Sequence, residues 1–499
     1  MPNSPAPQTL SQPAPTVPPR PEERRRAALE LAGRLSALPE DPSRYDPQAR
    51  PYRQRVRLEL ASACRELPRQ PLRPAWERLA GRRWPESGPA VPGVGPAELA
   101  ATVASPLRHE IVNPYAEHRL YPSPRSKFPV RVAVSDGSGR HLVVPELDSL
   151  VRLDGRGGPA ALETASALAA LPDFYGDLRP VLAGLETGHV LAALADTGRA
   201  LGLPLTVAGP ATGDWTDWPA RRTGPVLPGF RLVPAEAGPA EADQGNCTAE
   251  EGSWAEVGWR RNSGRAPGGF YGFTARHGVL PPEALAAVLG EAARGPAGSG
   301  FLARWMPAVR VFCAVRAVTG LPDGLYEAPL GPEAAAAGPA ALRRVGGLDA
   351  LRGGLVLDSA PTAGLAYDLA GSNLVWVLAV DALRAVGPSD TAAATATATA
   401  GATATAAGVS DGEAPAAGAA FPGTLAAVGW LAQRICMGAA AAGLFARPLR
   451  SFHAGTVAAG IGAPDTLVPI YQVACGRNRF TEPAIDLRFH RSGASGGAR

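Results

Sequence analysis

The chain repeats itself over a long interval, and that restricts it to architectures built from two like halves. Arg83 of the pair Arg82-Arg83 lies 46 residues before Pro129, and Arg261 of the pair Arg260-Arg261 lies 46 residues before Pro307. Pro129 opens Pro-Val-Arg-Val, and Pro307 opens Pro-Ala-Val-Arg-Val. Further on, Gly188 and Gly202-Leu203 stand 14 residues apart, as do Gly429 and Gly443-Leu444. An interval this long marks a duplicated domain rather than a solenoid unit.

With 499 residues, 45% apolar and 19% charged, the chain can bury a core of ordinary size. Two domains of roughly 150 to 230 residues are expected. No run of about 18 apolar residues occurs, and the Pro-rich start has no apolar signal core, so a cytoplasmic address without a membrane span is expected. Five cysteines (Cys64, Cys247, Cys313, Cys436 and Cys475) form no Cys-x-x-Cys pair. They fit reduced, buried thiols, and no metal site is expected. A net charge of +4 with dispersed arginines gives no nucleic-acid surface.

Of the 49 basic residues only Lys127 is a lysine. A lysine can lose its proton when desolvated and then act as a base, whereas arginine stays charged. Lys127 reads either as such a base or as an ordinary surface lysine in an arginine-biased chain.

Residues 1–20 are too poor in large apolar groups to pack and are expected to be disordered. A helical prefix follows over 21–80, with one helix over 21–38 on Leu31, Leu35 and Leu38, and a second over 52–67. The first repeat spans 81–234, a polar linker 235–253, and the second repeat 254–490. The Ala/Thr/Gly tract at 391–420 interrupts the second repeat and reads as a disordered insertion. Within each repeat the expected order is helix, strand, strand, helix. The strands fall at 131–134 and 309–318, and long small-residue helices at 186–203 and 424–444. Their Ala and Gly content allows close helix–helix approach, or reflects coding bias alone.

Four stretches together carry a resemblance. They are Arg260-Arg-Asn-Ser-Gly-Arg265, Tyr121-Pro-Ser-Pro-Arg-Ser-Lys-Phe-Pro129, Tyr175-Gly-Asp-Leu-Arg with Leu185-Glu-Thr-Gly-His189, and Gly320-Leu-Pro-Asp-Gly-Leu-Tyr326. Over residues 80–490 the chain resembles the nitroreductase-like FMN oxidases, and more closely the azoline dehydrogenases of thiazole/oxazole-modified peptide and thiopeptide pathways. The resemblance implies an α+β fold of two fused nitroreductase-like domains, an intramolecular pseudo-dimer that can be monomeric, with flavin at the interface between halves.

The two copies are unequal with respect to that family. After its double arginine only the second copy has Ser-x-Arg, so that Arg260, Arg261, Ser263 and Arg265 supply the forked guanidiniums and short hydroxyl that a flavin phosphate takes. Only the first copy keeps the family's Tyr-Pro-Ser loop, with Pro122 and Ser123, to line the ring. Arg477 and Arg479 near the C-terminus would assist the phosphate. The implied result is one composite FMN site per chain. The family's Lys-Tyr pair stands here as Phe174-Tyr175, leaving Tyr175 and Lys127 as candidate proton acceptors.

Each residue also has a plainer reading. Arg260, Arg261 and Arg265 fit solvated helix-start charges, Tyr175 a half-buried aromatic, and His189 an interior packing residue. His453 has no assigned role. The implied reaction is oxidation of thiazoline or oxazoline rings in a ribosomally made precursor peptide, supplied by a cyclodehydratase partner, with dioxygen reoxidising the flavin. The alternatives are an NAD(P)H-dependent flavin reductase and a flavin-free scaffold that binds peptide or partner.

Overall fold

Runs of β-branched and aromatic residues build two large antiparallel sheets, and the two share one strand order. In the first, the order is Arg69–Pro71, Ser149–Asp154, Gly139–Val144, Val130–Asp136, Ala161–Ala167, Val226–Pro234, Leu205–Pro210. In the second it is Arg343–Gly346, Gly324–Ala328, Val309–Val315, Leu374–Asp381, Leu467–Asn478, with Phe445–Leu449 also on Leu467–Asn478. Six strands match one for one. Arg69–Pro71 is an addition to the first sheet, and Ala275–Arg276 is added at the end of Leu467–Asn478 in the second. The matched strands Val130–Asp136 and Val309–Val315 each carry an arginine paired with a nearby glutamate: Arg131 reaches Glu146, in the turn after Gly139–Val144, at 2.8 Å, and Arg310 reaches Glu327 at 2.9 Å. The computed structural model describes residues 21–36, 59, 62–111, 117–155, 157–213, 215, 218, 224–235, 252–265, 271–296, 300–348, 365–369, 371–386, 417–450, 452–480 and 483–488.

The elements common to both halves run as two shorter helices, four strands, one long helix and two strands. The shorter helices are Trp76–Ala80 and Pro96–Ala104 in the first half, and Trp254–Arg260 and Pro282–Ala293 in the second. The expected order of helix, strand, strand, helix undercounts the strands. Gly139–Val144 and Ser149–Asp154 are joined by short turns, and period-two reading of Arg-His-Leu or Arg-Leu-Asp alone does not reveal them. The fold is α+β and duplicated, as expected.

The long helices are Leu178–Ala200 and Ala417–Ala441, and nearly every described side chain on them is buried. They start earlier than their sequence patterns indicate, because Leu178, Val181 and Leu182 already pack inward and the second helix begins inside the Ala/Thr/Gly tract. Residues 391–416 lie outside the described residues. The two helices meet at Gly188 and Gly429. A Cβ at Gly188 would stand 2.1 Å from the Ala426 carbonyl oxygen, and one at Gly429 would stand 2.0 Å from that of Leu185. Only hydrogen fits at either position, so the backbones touch. Both helices end alike. Gly202 (φ 72°) and Gly443 (φ 69°) take the left-handed conformation, and the next N–H, of Leu203 or Leu444, donates to the carbonyl of Gly198 (2.7 Å) or Ala439 (2.8 Å).

The first and last described elements each pack on the opposite half. The helix Pro21–Leu35 buries Ala28, Leu31 and Leu35, and the Leu35 carbonyl accepts from Arg450 Nη2 at 2.8 Å. Its Arg34 lies 4.1 Å from the Phe421 ring centroid. At the other end Ala484–Asp486 pairs with Arg108–Glu110, which pairs with Glu117–His118. The second expected prefix helix, 52–67, falls mostly outside the described residues, as do 1–20 and most of the 235–253 linker. Cys64, Cys313, Cys436 and Cys475 are buried free thiols. Among the described residues no helix is long and apolar enough to cross a membrane.

Candidate active site

The Arg-Arg-Asn-Ser-Gly-Arg segment turns back on itself for local reasons. The helix Trp254–Arg260, capped by Ser253 Oγ on the Glu256 N–H, stops at Arg260. Asn262 Oδ1 then accepts from Gly264 N at 2.9 Å, and Gly264 takes φ 75° with its α-carbon against Phe273. The turn directs Arg261 and Arg265 to the same side, toward 108–119 of the first half. Arg260 faces away and pairs with Glu256 at 3.1 Å on a half-exposed surface, matching the plainer reading for that residue alone.

Arg261 is buried. Its Nε and Nη2 donate to the Arg119 carbonyl at 3.2 and 2.6 Å, while its Nη1 is buried without a partner among the described residues. Burial lowers its pKa to about 10. Arg265 donates through Nη2 to Glu110, which also lies 3.0 Å from Arg108 Nε and 2.9 Å from His118 Nε2. Burial would raise the Glu110 pKa, but His118, Arg265 and Arg108 outweigh it and bring the carboxyl down to about 2. Burial, with Arg108 and Arg261 nearby, drops His118 to about 3, so the imidazole is neutral. Among the described residues, three buried or nearly buried guanidiniums (Arg108, Arg261, Arg265) thus gather around Glu110. Buried charge of one sign calls for a counter-ion. The guanidinium donors, with the buried Arg261 Nη1 left without a partner among the described residues, fit a phosphate.

Ser263 is part-exposed on the same turn, and its carbonyl accepts from Arg447 Nη1 at 3.4 Å. Arg477 and Arg479 have other surroundings: Arg477 ladders against Arg276 with Nη1 near Gly278, and Arg479 lies 5.5 Å from the Phe480 ring.

From this cluster the first-half chain runs on into the 121–129 loop. Arg119 is fully buried; its side chain binds Glu117 at 3.0 Å and lies 4.0 Å over the Phe128 ring. Ser123 Oγ donates to Glu186 Oε2 at 2.6 Å and accepts the Phe128 N–H at 2.7 Å, while Val130 N lies 3.4 Å from Glu186 Oε1. Pro122 and Pro124 flank this serine, and Pro124–Ser126 is a single 3₁₀ turn closed by the Lys127 N–H. Lys127 is buried, contrary to the ordinary-surface reading. Tyr175 ends the 3₁₀ turn Asp173–Tyr175 and is also buried. Arg125 joins loop and turn, with its guanidinium 4.9 Å from the Phe174 ring and 6.0 Å from that of Tyr175. Lys127 and Tyr175 are thereby on segments that touch.

His189 is a satisfied interior residue, between Gln433 Oε1 at 3.1 Å and the Tyr471 hydroxyl at 3.3 Å, and burial lowers its pKa to about 3. His453 precedes the short helix Ala454–Gly460 and is exposed. Glu110, Arg119 and Glu186 escaped the sequence reading. Of these only Glu186 carried a signal, as the carboxylate of Leu-Glu-Thr-Gly-His on an otherwise apolar helix face.

The equivalent places in the other copy are filled. Arg83 pairs with Glu86 on the surface at 3.6 Å, and Trp84 packs 4.1 Å from Trp254. Opposite the 121–129 loop, the second half has the buried Trp305, against Gly423.

Three solved structures are similar in part. A protein from Anabaena variabilis described as a nitroreductase is 14% identical, over 91% of this chain and 99% of that one, with a TM-score of 0.46. The E. coli microcin synthetase McbBCD complex with truncated pro-MccB17 bound is 15% identical over 41% of this chain and 66% of that chain, with a TM-score of 0.29. A Ralstonia eutropha protein described as a nitroreductase is 16% identical over 45% and 83%, with a TM-score of 0.27. No protein-family model and no curated protein matches the sequence.

Proposed function

We propose that the chain is an FMN-dependent oxidoreductase with one composite site, made from the Arg261 turn of the second half and the 121–129 loop of the first. The observation that carries the reading is the buried Arg261 Nη1, without a partner among the described residues, on a guanidinium whose other nitrogens bind the Arg119 carbonyl in the segment that leads into that loop. Arg261, Ser263 and Arg265 would hold the phosphate. When bound, FMN supplies a two-electron acceptor. Phe128 and the buried 121–129 loop exclude water, and Arg125 orients Phe174 and Tyr175. Lys127 or Tyr175 takes a proton from the substrate carbon.

The substrate class we favour is an azoline ring in a ribosomally made precursor peptide, oxidised to thiazole or oxazole after a partner cyclodehydratase has closed it. This rests on the sequence motifs. One observation favours the flavin-free scaffold instead: Arg265 Nη2 is already committed to Glu110. Purification separates the two. A flavin absorbance band with FMN released on denaturation is expected, followed by loss of two hydrogens per ring from an azoline peptide under air. A colourless protein that binds no added FMN would reject the flavin reading. Bleaching of the flavin by NADPH without peptide oxidation would move the assignment to a reductase.

A further inference from the structure

The 121–129 loop holds three non-glycine residues in the left-handed region, Arg125 (φ 50°), Ser126 (φ 51°) and Phe128 (φ 50°). Side chains disfavour that region, so such residues persist only where surrounding contacts impose it. The imposing contacts converge on one side chain of the central helix. Glu186 receives the Ser123 hydroxyl at 2.6 Å and the Val130 N–H at 3.4 Å, and the same Ser123 oxygen receives the Phe128 N–H at 2.7 Å. The two ends of the strained stretch are thus tied to a single carboxyl group.

We propose that Glu186 is a positioning residue, the clamp that fixes the 123–128 stretch in its strained shape and so sets Arg125 and Lys127 against Phe174 and Tyr175. The clamp is sensitive to pH. Around the carboxyl stand Ser123 from the loop, Arg119 and Tyr121 preceding it, Arg131 from the adjacent strand, and Tyr471 from the second-half sheet. Burial outweighs the favourable hydrogen bonds and arginines, raising the Glu186 pKa to about 8. Relative to an opened loop in which the carboxyl is solvated, the clamped form binds more protons. Its stability is therefore full below the ordinary carboxyl range and falls as pH rises toward 8.

Lys127 is the only lysine in the chain, so a lysine-specific endoprotease can cut nowhere else, and cleavage of the native protein reports opening of this loop. When reclosing is fast, cleavage tracks the open population. Rates are normalised at each pH to an unstructured peptide carrying the same site. Wild-type protein should be cut roughly fiftyfold faster at pH 8 than at pH 6. Glu186→Gln, which keeps a donor and an acceptor but cannot ionise, should stay near the pH 6 rate throughout. Ser123→Ala should be cut about tenfold or more faster at pH 6 with an unchanged circular dichroism spectrum; it decides the matter if Glu186→Leu does not fold. A Ser123→Ala rate equal to wild type, or a wild-type rate that is flat with pH, would overturn the clamp. The positioning role rests on the flavin reading, but cleavage does not. A clamped chain that binds no FMN would reject that reading alone, and a flavin-bound chain without pH-dependent cleavage would reject the clamp alone.

Discussion

Arg83 and Arg261 occupy the same place in the two repeats, yet one is a surface ion pair and the other is fully buried. What separates them is the next few residues: Asn-Ser-Gly allows the reversal at Gly264, whereas Trp-Pro carries the chain along the Trp254 face. Charge-assisted bonds to a phosphate are worth about 1.5 to 3 kcal/mol each, so Arg261→Ala should weaken FMN binding about tenfold or more, measured by fluorescence titration of the apoprotein. Unaltered affinity would remove Arg261 from the phosphate site. Glu110 makes a separate claim. Its folded pKa is depressed, so its contribution is present above the ordinary carboxyl pKa and is lost as pH falls toward 2. Glu110→Gln leaves Arg108 and Arg265 without their shared counter-charge and should cost about 3 kcal/mol or more in urea unfolding at pH 7, and the variant should lose less stability on acidification than wild type does. At the base, Tyr175→Phe and Lys127→Arg should keep the flavin; whichever is the acceptor should lose about 10²- to 10⁴-fold in azoline turnover, and wild-type rates in both would exclude the pair.

The elements were legible to different degrees for physical reasons. The long helices are legible through their small residues and terminal glycines, and the equal 14-residue intervals make Gly188 and Gly429 equivalents from the sequence alone. Their starts were not legible, since Leu178 and Ala417 lie in segments whose turn residues and low complexity mask a helical pattern. Glu110 was illegible because Arg-His-Glu reads as an alternating polar strand; only the pairing of Ala484–Asp486 with Arg108–Glu110 and the arrival of Arg265 bury it. The burial of Arg261 is not legible in Arg-Arg-Asn-Ser-Gly-Arg, which equally suits solvated charges, and the strand carrying Arg477 sets its Nη1 near Gly278 rather than beside Arg261. At the helix crossing the backbones leave no room for a methyl group. Overpacking a core costs typically about 1 to 3 kcal/mol, and here the obstacle is main chain on both sides. Gly188→Ala and Gly429→Ala should each lower the melting temperature by a few degrees, roughly 1 to 2 °C per kcal/mol for a chain of about 500 residues. A neutral Gly188→Ala would mean that the helices are farther apart than their geometry indicates.

Across the whole molecule, duplication followed by divergence has left two pseudo-equivalent places with complementary contents. At one, the second half presents Arg261 and Arg265, and the first half presents the Ser123 loop. At the other, Arg83 is at the surface, Trp84 occupies the space beside Trp254, and Trp305 stands where a loop like that of 121–129 would be needed. A symmetric dimer of single domains would bind two flavins; on the function proposed above, this chain would supply phosphate donors and a ring-lining loop for only one. The exchange of chain ends reinforces the asymmetry. The C-terminal strand Ala484–Asp486 secures Arg108–Glu110 beneath the Arg261 turn, whereas the N-terminal helix Pro21–Leu35 reaches Arg450 and Phe421 of the other half. The chain should therefore bind one FMN, with a stoichiometry independent of whether it is monomeric or associates further, read by absorbance of extracted flavin against protein concentration from amino-acid analysis. A ratio near two per chain would show that Trp84 and Trp305 do not block the second place. A ratio near one that falls toward zero in Arg261→Ala, but is unchanged in Arg83→Ala, would assign the single flavin to the composite site rather than to its degenerate twin.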